Sequence, residues 1–194
     1  MLSLTQSSAP AVEPVTIEMA KEHLRVTFDD DNTYIRNLVR AARQRVEESS
    51  GRQLITATWT YTLDCWPASG EILLPWSPLQ SVTSIKYVDT GGTQQTEAGT
   101  VYDVDITTIV PRIFLKYGQS WSTTRGHTND IEIIFVAGYG DAIADVPEIA
   151  RQAILLMVSH WYEHREPVVI GQSPMRIPET LEAMITAFEV PMVA

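Results

Sequence analysis

The chain has 194 residues, of which 44% are hydrophobic and 20% are charged, and its formal net charge is -10 at pH 7. These values exclude wholesale disorder and suit one globular core, with or without an insertion. The negative charge disfavours general binding to nucleic-acid phosphates. The single cysteine, Cys65, excludes an internal disulfide, and the longest unbroken apolar run, Ala153 to Val158, is too short to cross a membrane. We therefore expect a soluble, cytoplasmic protein without a signal peptide.

The chain begins with an extended arm and a short helix. Residues 1–15 are rich in Ser, Ala and Pro and predict an N-terminal arm. Thr16 is a suitable N-cap for the helix that follows it. The acidic run Asp29–Asp31 could hold a cation, but no ligand-spaced partners follow it. A loop with an N-cap for the next helix is the favoured interpretation.

A second helix is predicted from about Asn32 to Ser50, where apolar residues recur at helical spacing. Gly51 is a natural C-terminal cap for it. The side of this helix opposite the apolar residues carries a basic stripe of Arg36, Arg40 and Arg43. The stripe either binds phosphates or an acidic partner, or forms a solvated face paired with nearby carboxylates.

From Gln53 the period of the apolar residues changes to two, which predicts a block of strands over residues 53–140. The first strand has a threonine-rich outer face. Further strands are predicted over residues 71–76, 79–88, 101–106, 112–117 and 130–137. Asp89–Gly92 is a hairpin-type turn signal. Asp103 and Asp105 share a strand face, and an exposed face is favoured over a functional carboxylate pair because no third polar partner is evident.

The third helix is apolar on nearly all sides, which predicts burial, and it ends in a pattern typical of metal sites. Val146-Pro147 opens this helix and Pro167 stops it. His160, Glu163 and His164 fit the H-x-x-E-H pattern of inverted zinc peptidases. The histidines share a helix face, as ligation requires, but no third ligand is identifiable by its spacing. Because histidine and arginine are favoured at helix C-termini by the dipole, a structural helix end is the preferred interpretation.

A loop and a fourth helix are predicted within residues 167–194. Pro178 opens that helix, whose apolar face contains Leu181, Ile185 and Phe188. No other motif indicates catalysis, since Gly138 and Gly140 lack the third glycine of a dinucleotide fingerprint. We expect no enzyme activity and no cofactor or metal.

The order of helix, helix, strands, helix, helix indicates an α+β class. We expect a small helical bundle core with an antiparallel β insertion between the second and third helices. The predicted parts are an N-terminal arm at residues 1–15, the helical core at residues 16–52 and 145–166, the β insertion at residues 53–140, and a C-terminal, partner-contacting loop and helix at residues 167–194.

Several segments, taken in order, resemble a known family. They are Thr16–Val26 (TIEMAKEHLRV), Leu38–Ile55 (LVRAARQRVEESSGRQLI), Ile72–Tyr87 (ILLPWSPLQSVTSIKY), Phe135–Gly140 (FVAGYG) and His160–Glu166 (HWYEHRE). In their order and spacing they resemble the tailed-phage head–tail connector proteins of the gp6-like type, also called adaptor or head-completion proteins. The resemblance covers roughly residues 14–167, and similar genes occur in prophages and gene transfer agents.

The resemblance implies a structural role in the virion, with synthesis in the host bacterial cytoplasm. Such subunits form a homo-oligomeric ring, commonly a dodecamer, beneath the portal protein. The ring extends the DNA channel, through which DNA passes without specific binding, and it docks stopper or tail-completion proteins. By this resemblance the portal-contacting segment is Pro178–Ala194.

The candidate interface residues are Arg36, Arg40, Arg43, Pro178, Leu181, Ile185 and Phe188. Two alternatives stay open at this point. One is a zinc-dependent hydrolase that uses His160 and His164. The other is a monomeric binding module that uses the arginine stripe to bind an acidic partner.

Overall fold

The computed structural model describes residues 2–164 and 179–190. These residues form two compact units. The β unit contains residues 2–10, 56–139 and 190, and the helical unit contains residues 11–55 and the described residues from 140 to 189. The predicted α+β class is confirmed.

The helical unit has four α-helices, which are α1 (Ile17–Leu24), α2 (Asn32–Ser50), α3 (Glu148–Glu163) and α4 (Glu179–Ala187). The bounds of α2 agree with those predicted from its apolar spacing. A short 3-10 turn at Ile143–Asp145 precedes α3. None of the helices in the described ranges is both long and apolar enough to cross a membrane.

Two predicted helix caps are confirmed. The Thr16 hydroxyl accepts a 3.2 Å hydrogen bond from the backbone N–H of Met19, in the first turn of α1. Gly51 ends α2 with a φ of 67°, a left-handed conformation that glycine adopts without steric cost. Both ends are therefore set by local sequence.

The core of the helical unit lies between α2 and α3. The buried apolar side chains of α2 are Ile35, Val39, Ala42 and Val46, and those of α3 are Ala150, Ala153, Ile154, Leu155, Met157 and Val158. Helices α1, α2 and α4 all pack against α3. This explains why α3 is apolar on most of its sides.

The β unit has eight strands, which are β1 (Leu2–Ser8), β2 (Ala57–Leu63), β3 (Glu71–Leu73), β4 (Leu79–Val88), β5 (Gln94–Thr96), β6 (Tyr102–Asp105), β7 (Arg112–Leu115) and β8 (Ile131–Ala137). They form a five-stranded sheet of order β1-β2-β8-β4-β5 and a three-stranded sheet of order β3-β7-β6. All pairings are antiparallel. Strands β2 to β8 lie, in sequence, between α2 and α3.

The core of the β unit follows from the two-residue period of the strands. On the central strands, Trp59 and Val82 both pair with Phe135, and Tyr61 and Ile85 both pair with Ile133. Phe135, Ile85 and Ile133 are fully buried. Ile72 and Ile113 of the smaller sheet belong to the same apolar cluster, so one core joins the two sheets.

Three local features differ from, or add to, the sequence prediction. Within the predicted arm, residues 2–8 form β1 and pair with β2. Strand β5 is not predicted, because its three residues, Gln94, Gln95 and Thr96, carry no apolar pattern. Residues 53–55 group with the helical unit instead of the strands. The Asp89 turn is confirmed, since its Oδ1 accepts 2.9 Å hydrogen bonds from the N–H groups of Gly91 and Thr93.

Candidate functional site

An apolar groove on the helical unit is a candidate site. It has a volume of about 320 Å³ and lies between the segment before α1 and the first half of α2. Its apolar lining consists of Val12, Val15, Ile17, Val39 and Ile143. We call it the α1–α2 groove.

A buried charge network holds the segment that forms one wall of this groove. The Arg43 guanidinium donates from Nε to Glu13 Oε2 at 2.7 Å and from Nη1 to Glu47 Oε2 at 2.6 Å. Glu47 Oε1 also accepts from Gln53 Nε2 at 2.8 Å and from the N–H of Leu54 at 3.0 Å. Arg43 is 6% exposed and Glu47 is 4% exposed. The network therefore ties residue 13 to α2 and to the chain that follows α2.

Arg43 is a cation in this network. Burial acts to lower the pKa of its guanidinium, but the charges of Glu47 and Glu13 outweigh burial and raise that pKa. Arg43 is therefore committed to internal ion pairs. The predicted basic stripe is not one solvated surface, because Arg43 is buried whereas Arg36 and Arg40 are exposed.

Arg36 and Arg40 lie together at the rim of the α1–α2 groove. Arg40 Nε lies 3.7 Å from Glu13 Oε1, and its side chain is 67% exposed, so this pair contributes little to stability. Arg36 forms no ion pair with any residue that the structure describes. The pKa of Glu18 on α1 is lowered chiefly by its backbone hydrogen bond and by Thr16, with a smaller effect of Arg36. The rim thus presents positive charge beside an apolar floor.

The predicted interface residues of the last helix are partly internal. Leu181 is 1% exposed and Ile185 is 9% exposed, and α4 packs on α3 and α2. Phe188 is half-buried, and its backbone carbonyl accepts a hydrogen bond from Arg52 Nε. Pro178 lies outside the described residues. An interface role for these four residues stays a prediction.

The two histidines of the zinc pattern lie together at the end of α3. Their ring centroids are 5.1 Å apart, and Nδ1 of His164 lies 3.0 Å from the backbone carbonyl oxygen of His160. Across residues 2–164 and 179–190, no group of three or more His, Cys, Asp or Glu side chains is placed to hold a metal ion. The hydrolase hypothesis therefore has no support here. Arg165 and Glu166, which end the same motif, fall outside the described ranges.

The acidic runs have structural partners. Lys21 donates to Asp29 Oδ1 at 2.6 Å, and this hydrogen bond is the main cause that lowers the pKa of Asp29. On the smaller sheet, Asp103 pairs with Lys116 at 3.4 Å and Asp105 pairs with Arg112 at 3.3 Å. The first contact agrees with the predicted loop. On the strand, Asp103 is exposed, whereas the Asp105 side chain is 17% exposed and lies against Arg112.

The sequence matches a known family over part of its length. Residues 14–104 match the profile described as phage gp6-like head-tail connector protein. This segment belongs to the gp6-like head–tail connector family. It contains Arg36 and Arg40 and most of the apolar lining of the groove, so the α1–α2 groove is largely a feature of the family segment. No curated protein matches the chain.

Solved structures share the fold of this chain over nearly its whole length. A chain from the neck of an empty GTA particle, computed with C6 symmetry, has a TM-score of 0.82 and 22% identity, covering 99% of this chain and 97% of its own. A chain from the virion of a native gene transfer agent particle has a TM-score of 0.80 and 22% identity, covering 98% and 97%. A chain from the neck of a native GTA particle, computed with C12 symmetry, has a TM-score of 0.78 and 22% identity, covering 99% and 97%.

Sequence reasoning misses several residues of the α1–α2 groove. Val12 lies in a segment predicted as an arm, and Ile143 comes 93 positions after the end of α2 at Ser50. Neither residue stands in a periodic pattern that would assign it to a surface. Glu13 and Glu47 are indistinguishable by sequence from exposed acids. Their roles follow only from the packing of the segment before α1 against α2.

Proposed function

We propose that the protein is a structural head–tail connector subunit, which forms a homo-oligomeric ring in the neck of a phage, prophage or gene transfer agent particle. The observation that carries this proposal is the match of residues 14–104 to the connector family. That match is a sequence relation and is independent of the fold likeness. The likeness to neck chains over 97% of their length agrees with it.

A ring is supported by the symmetry of the similar assemblies. Two of the similar chains come from particle necks computed with C6 and C12 symmetry. We propose a dodecamer placed between the portal protein and the stopper or tail-completion protein. Its role is structural, and it needs no cofactor. The net charge of -10 suits a channel through which DNA passes without binding of its phosphates.

Loss of the gene in the particle-forming system that encodes this chain tests the proposal. We expect heads that package DNA but fail to attach tails, and expression of the wild-type chain from a plasmid should restore tailed particles. Cryo-electron microscopy of the restored necks should show this fold repeated around the channel. Normal tailed particles in the absence of the chain would overturn the connector assignment.

We further propose that the segment Pro178–Ala194 contacts the portal protein. Because Leu181 and Ile185 pack inside the helical unit, deletion of the segment would also expose the core. A loss of portal binding could then come from misfolding as well as from a lost contact. A cleaner test reverses the exposed charges Glu182 and Glu189 to lysine, which leaves the packing intact. The double variant should fold normally but bind purified portal protein more weakly. Portal binding equal to that of wild type would count against a contact between this segment and the portal protein.

A further inference from the structure

An exposed aromatic residue stands next to acidic side chains at the turn between α1 and α2. Phe28 is 49% exposed, although an aromatic ring of this size is usually covered. Asp29 follows it and binds Lys21. Asp30 is exposed and forms no hydrogen bond or ion pair with the described residues. We call residues 28–30 the Phe28 turn.

The same helical unit carries a surface of complementary chemistry. The α1–α2 groove has an apolar lining, and Arg36 at its rim has no ion-pair partner in the part of the chain that the structure describes. An exposed aromatic side chain beside an acid, and an apolar groove beside a cation, are thus both present in the helical unit, and Phe28 is not one of the residues that line the groove.

We propose that the Phe28 turn of one copy docks into the α1–α2 groove of the next copy, and that this contact builds the ring. Phe28 fills the apolar groove, and Asp30 lies against Arg36 of the neighbour. The inference rests on the proposed function, since a connector ring requires a contact between two different surfaces of one subunit. A contact between two unlike surfaces repeats from copy to copy and closes into a ring when the rotation allows it.

Charge and burial together favour a second copy as the occupant. Two subunits that each carry a charge of -10 repel in general, so an attractive contact needs a local pairing of opposite charges. Asp30 and Arg36 are such a pair, and both are exposed. A side chain that fills a well-packed, desolvated pocket is the usual form of an interaction hot spot. The α1–α2 groove and the Phe28 turn then both belong to the helical unit of every copy, as a ring of identical subunits requires.

Cysteine cross-linking of the full-length chain tests the contact. In a Cys65→Ser background, which removes the exposed native thiol, Phe28→Cys and Val12→Cys are introduced together. Val12 is 40% exposed and lines the groove. Under mild oxidation we expect a ladder of disulfide-linked dimers, trimers and larger species, which a reducing agent converts back to monomer. A chain with only one of the two cysteines should give no species above dimer.

Mixing the two single-cysteine chains distinguishes a repeating contact from a closed pair. A Phe28→Cys chain and a Val12→Cys chain should form one covalent heterodimer and nothing larger, because only one thiol is present on each. A double-cysteine ladder that also stops at dimer indicates a two-fold dimer and overturns the proposal. Absence of any cross-link at the highest soluble concentration overturns it as well.

Sedimentation measurements on non-cysteine variants give an independent readout. Phe28→Ser should weaken self-association roughly 30-fold, as expected for loss of a hot-spot residue. Asp30→Arg and Arg36→Asp should each weaken it, and the double reversal should restore a large part of the loss. Circular dichroism should show all of these variants folded. Unchanged self-association of Phe28→Ser would rule out the contact. Groove variants that self-associate like wild type and lose only portal binding would also rule it out.

The outcome also separates this contact from the connector role. If wild-type chain forms neck rings in particles but gives no cross-link, the contact is wrong and the proposed function stands. If the chain is absent from particle necks, the proposed function fails, whatever the cross-linking result.

Discussion

The hydroxyl of Tyr162 donates a 2.5 Å hydrogen bond to Oδ2 of Asp31, across 131 positions of sequence. Tyr162 lies in the last turn of α3, and Asp31 occupies the N-cap position of α2. Asp31 makes no side-chain cap to α2 itself. The bond therefore joins the two long helices where one ends and the other begins. The ring of Tyr34 lies 6.0 Å from that of Tyr162, which adds an aromatic contact to the same junction.

Removal of the Tyr162 hydroxyl should destabilise the helical unit. For Tyr162→Phe we expect a loss of about 1 to 2 kcal/mol in the free energy of unfolding, because a partly buried hydrogen bond to a charged acceptor is lost. Urea denaturation followed by circular dichroism measures it. Tyr117→Phe is the matched control, since the Tyr117 side chain is fully exposed. Equal stability of the two variants would show that the bond contributes nothing.

This junction shows what the sequence can and cannot predict. Helical spacing predicts α2 and α3, and the polar residues that end α3 are predicted to be a structural helix end. The partner of Tyr162 is not predictable, because Asp31 is one of three adjacent aspartates with the same local signature. A contact between residues so distant in sequence depends on the angle at which α2 and α3 pack. That angle is set by many side chains together and not by a motif.

The candidate site divides in the same way. Helical periodicity correctly places Arg36 and Arg40 on the exposed side of α2, but it places Arg43 there as well. Arg43 is buried because the segment before α1 folds over it and supplies Glu13. A segment with no regular structure has no period from which its path can be predicted. The groove that this segment forms is for that reason visible only in the structure.

The Arg43–Glu47 pair should be essential to the helical unit. Glu47→Ala leaves the buried Arg43 with one partner and removes the acceptor for the Leu54 N–H, so we expect a loss of about 3 to 5 kcal/mol. Glu48→Ala, an exposed neighbour on the same helix, should change stability little. Thermal and urea unfolding of both variants give the comparison. A Glu47→Ala chain as stable as Glu48→Ala would contradict this assignment of the network.

Asp130 should titrate below the ordinary aspartate range. Burial acts to raise its pKa, but hydrogen bonds from the His127 N–H and from Arg125 Nε, each 2.7 Å long, outweigh burial and lower it. Its contribution to stability is present above the unfolded value of roughly 3.9 and is lost as pH falls through the lowered folded value. Carboxyl-carbon NMR titration measures this pKa directly.

Two variants separate the local partner of Asp130 from general charge. Arg125→Ala should raise the pKa of Asp130 towards the ordinary range, because the ion pair is gone. Lys116→Ala removes one positive charge from a different ion pair and should leave the titration unchanged. If both variants shift the pKa of Asp130 equally, the effect comes from net charge and the assigned hydrogen bonds are not its cause.

The close approach of Asp145 to Gly140 predicts that any larger residue at position 140 destabilises the helical unit. A Cβ atom at this position would lie 2.2 Å from Oδ2 and 2.7 Å from Cβ of Asp145, too close for either atom to remain in place. Displacement of the Asp145 carboxylate would break the 2.9 Å hydrogen bond that it accepts from the Ala142 N–H. It would also shift the turn that contains Ile143, which lines the α1–α2 groove.

We expect Gly140→Ala to lower the free energy of unfolding by about 1 to 3 kcal/mol, as is typical when extra atoms are forced into a packed site. Gly99→Ala is the matched control, because nothing lies within 4 Å of a Cβ there. Urea unfolding of the two variants checks the prediction, and a Gly140→Ala chain that unfolds together with Gly99→Ala would refute it.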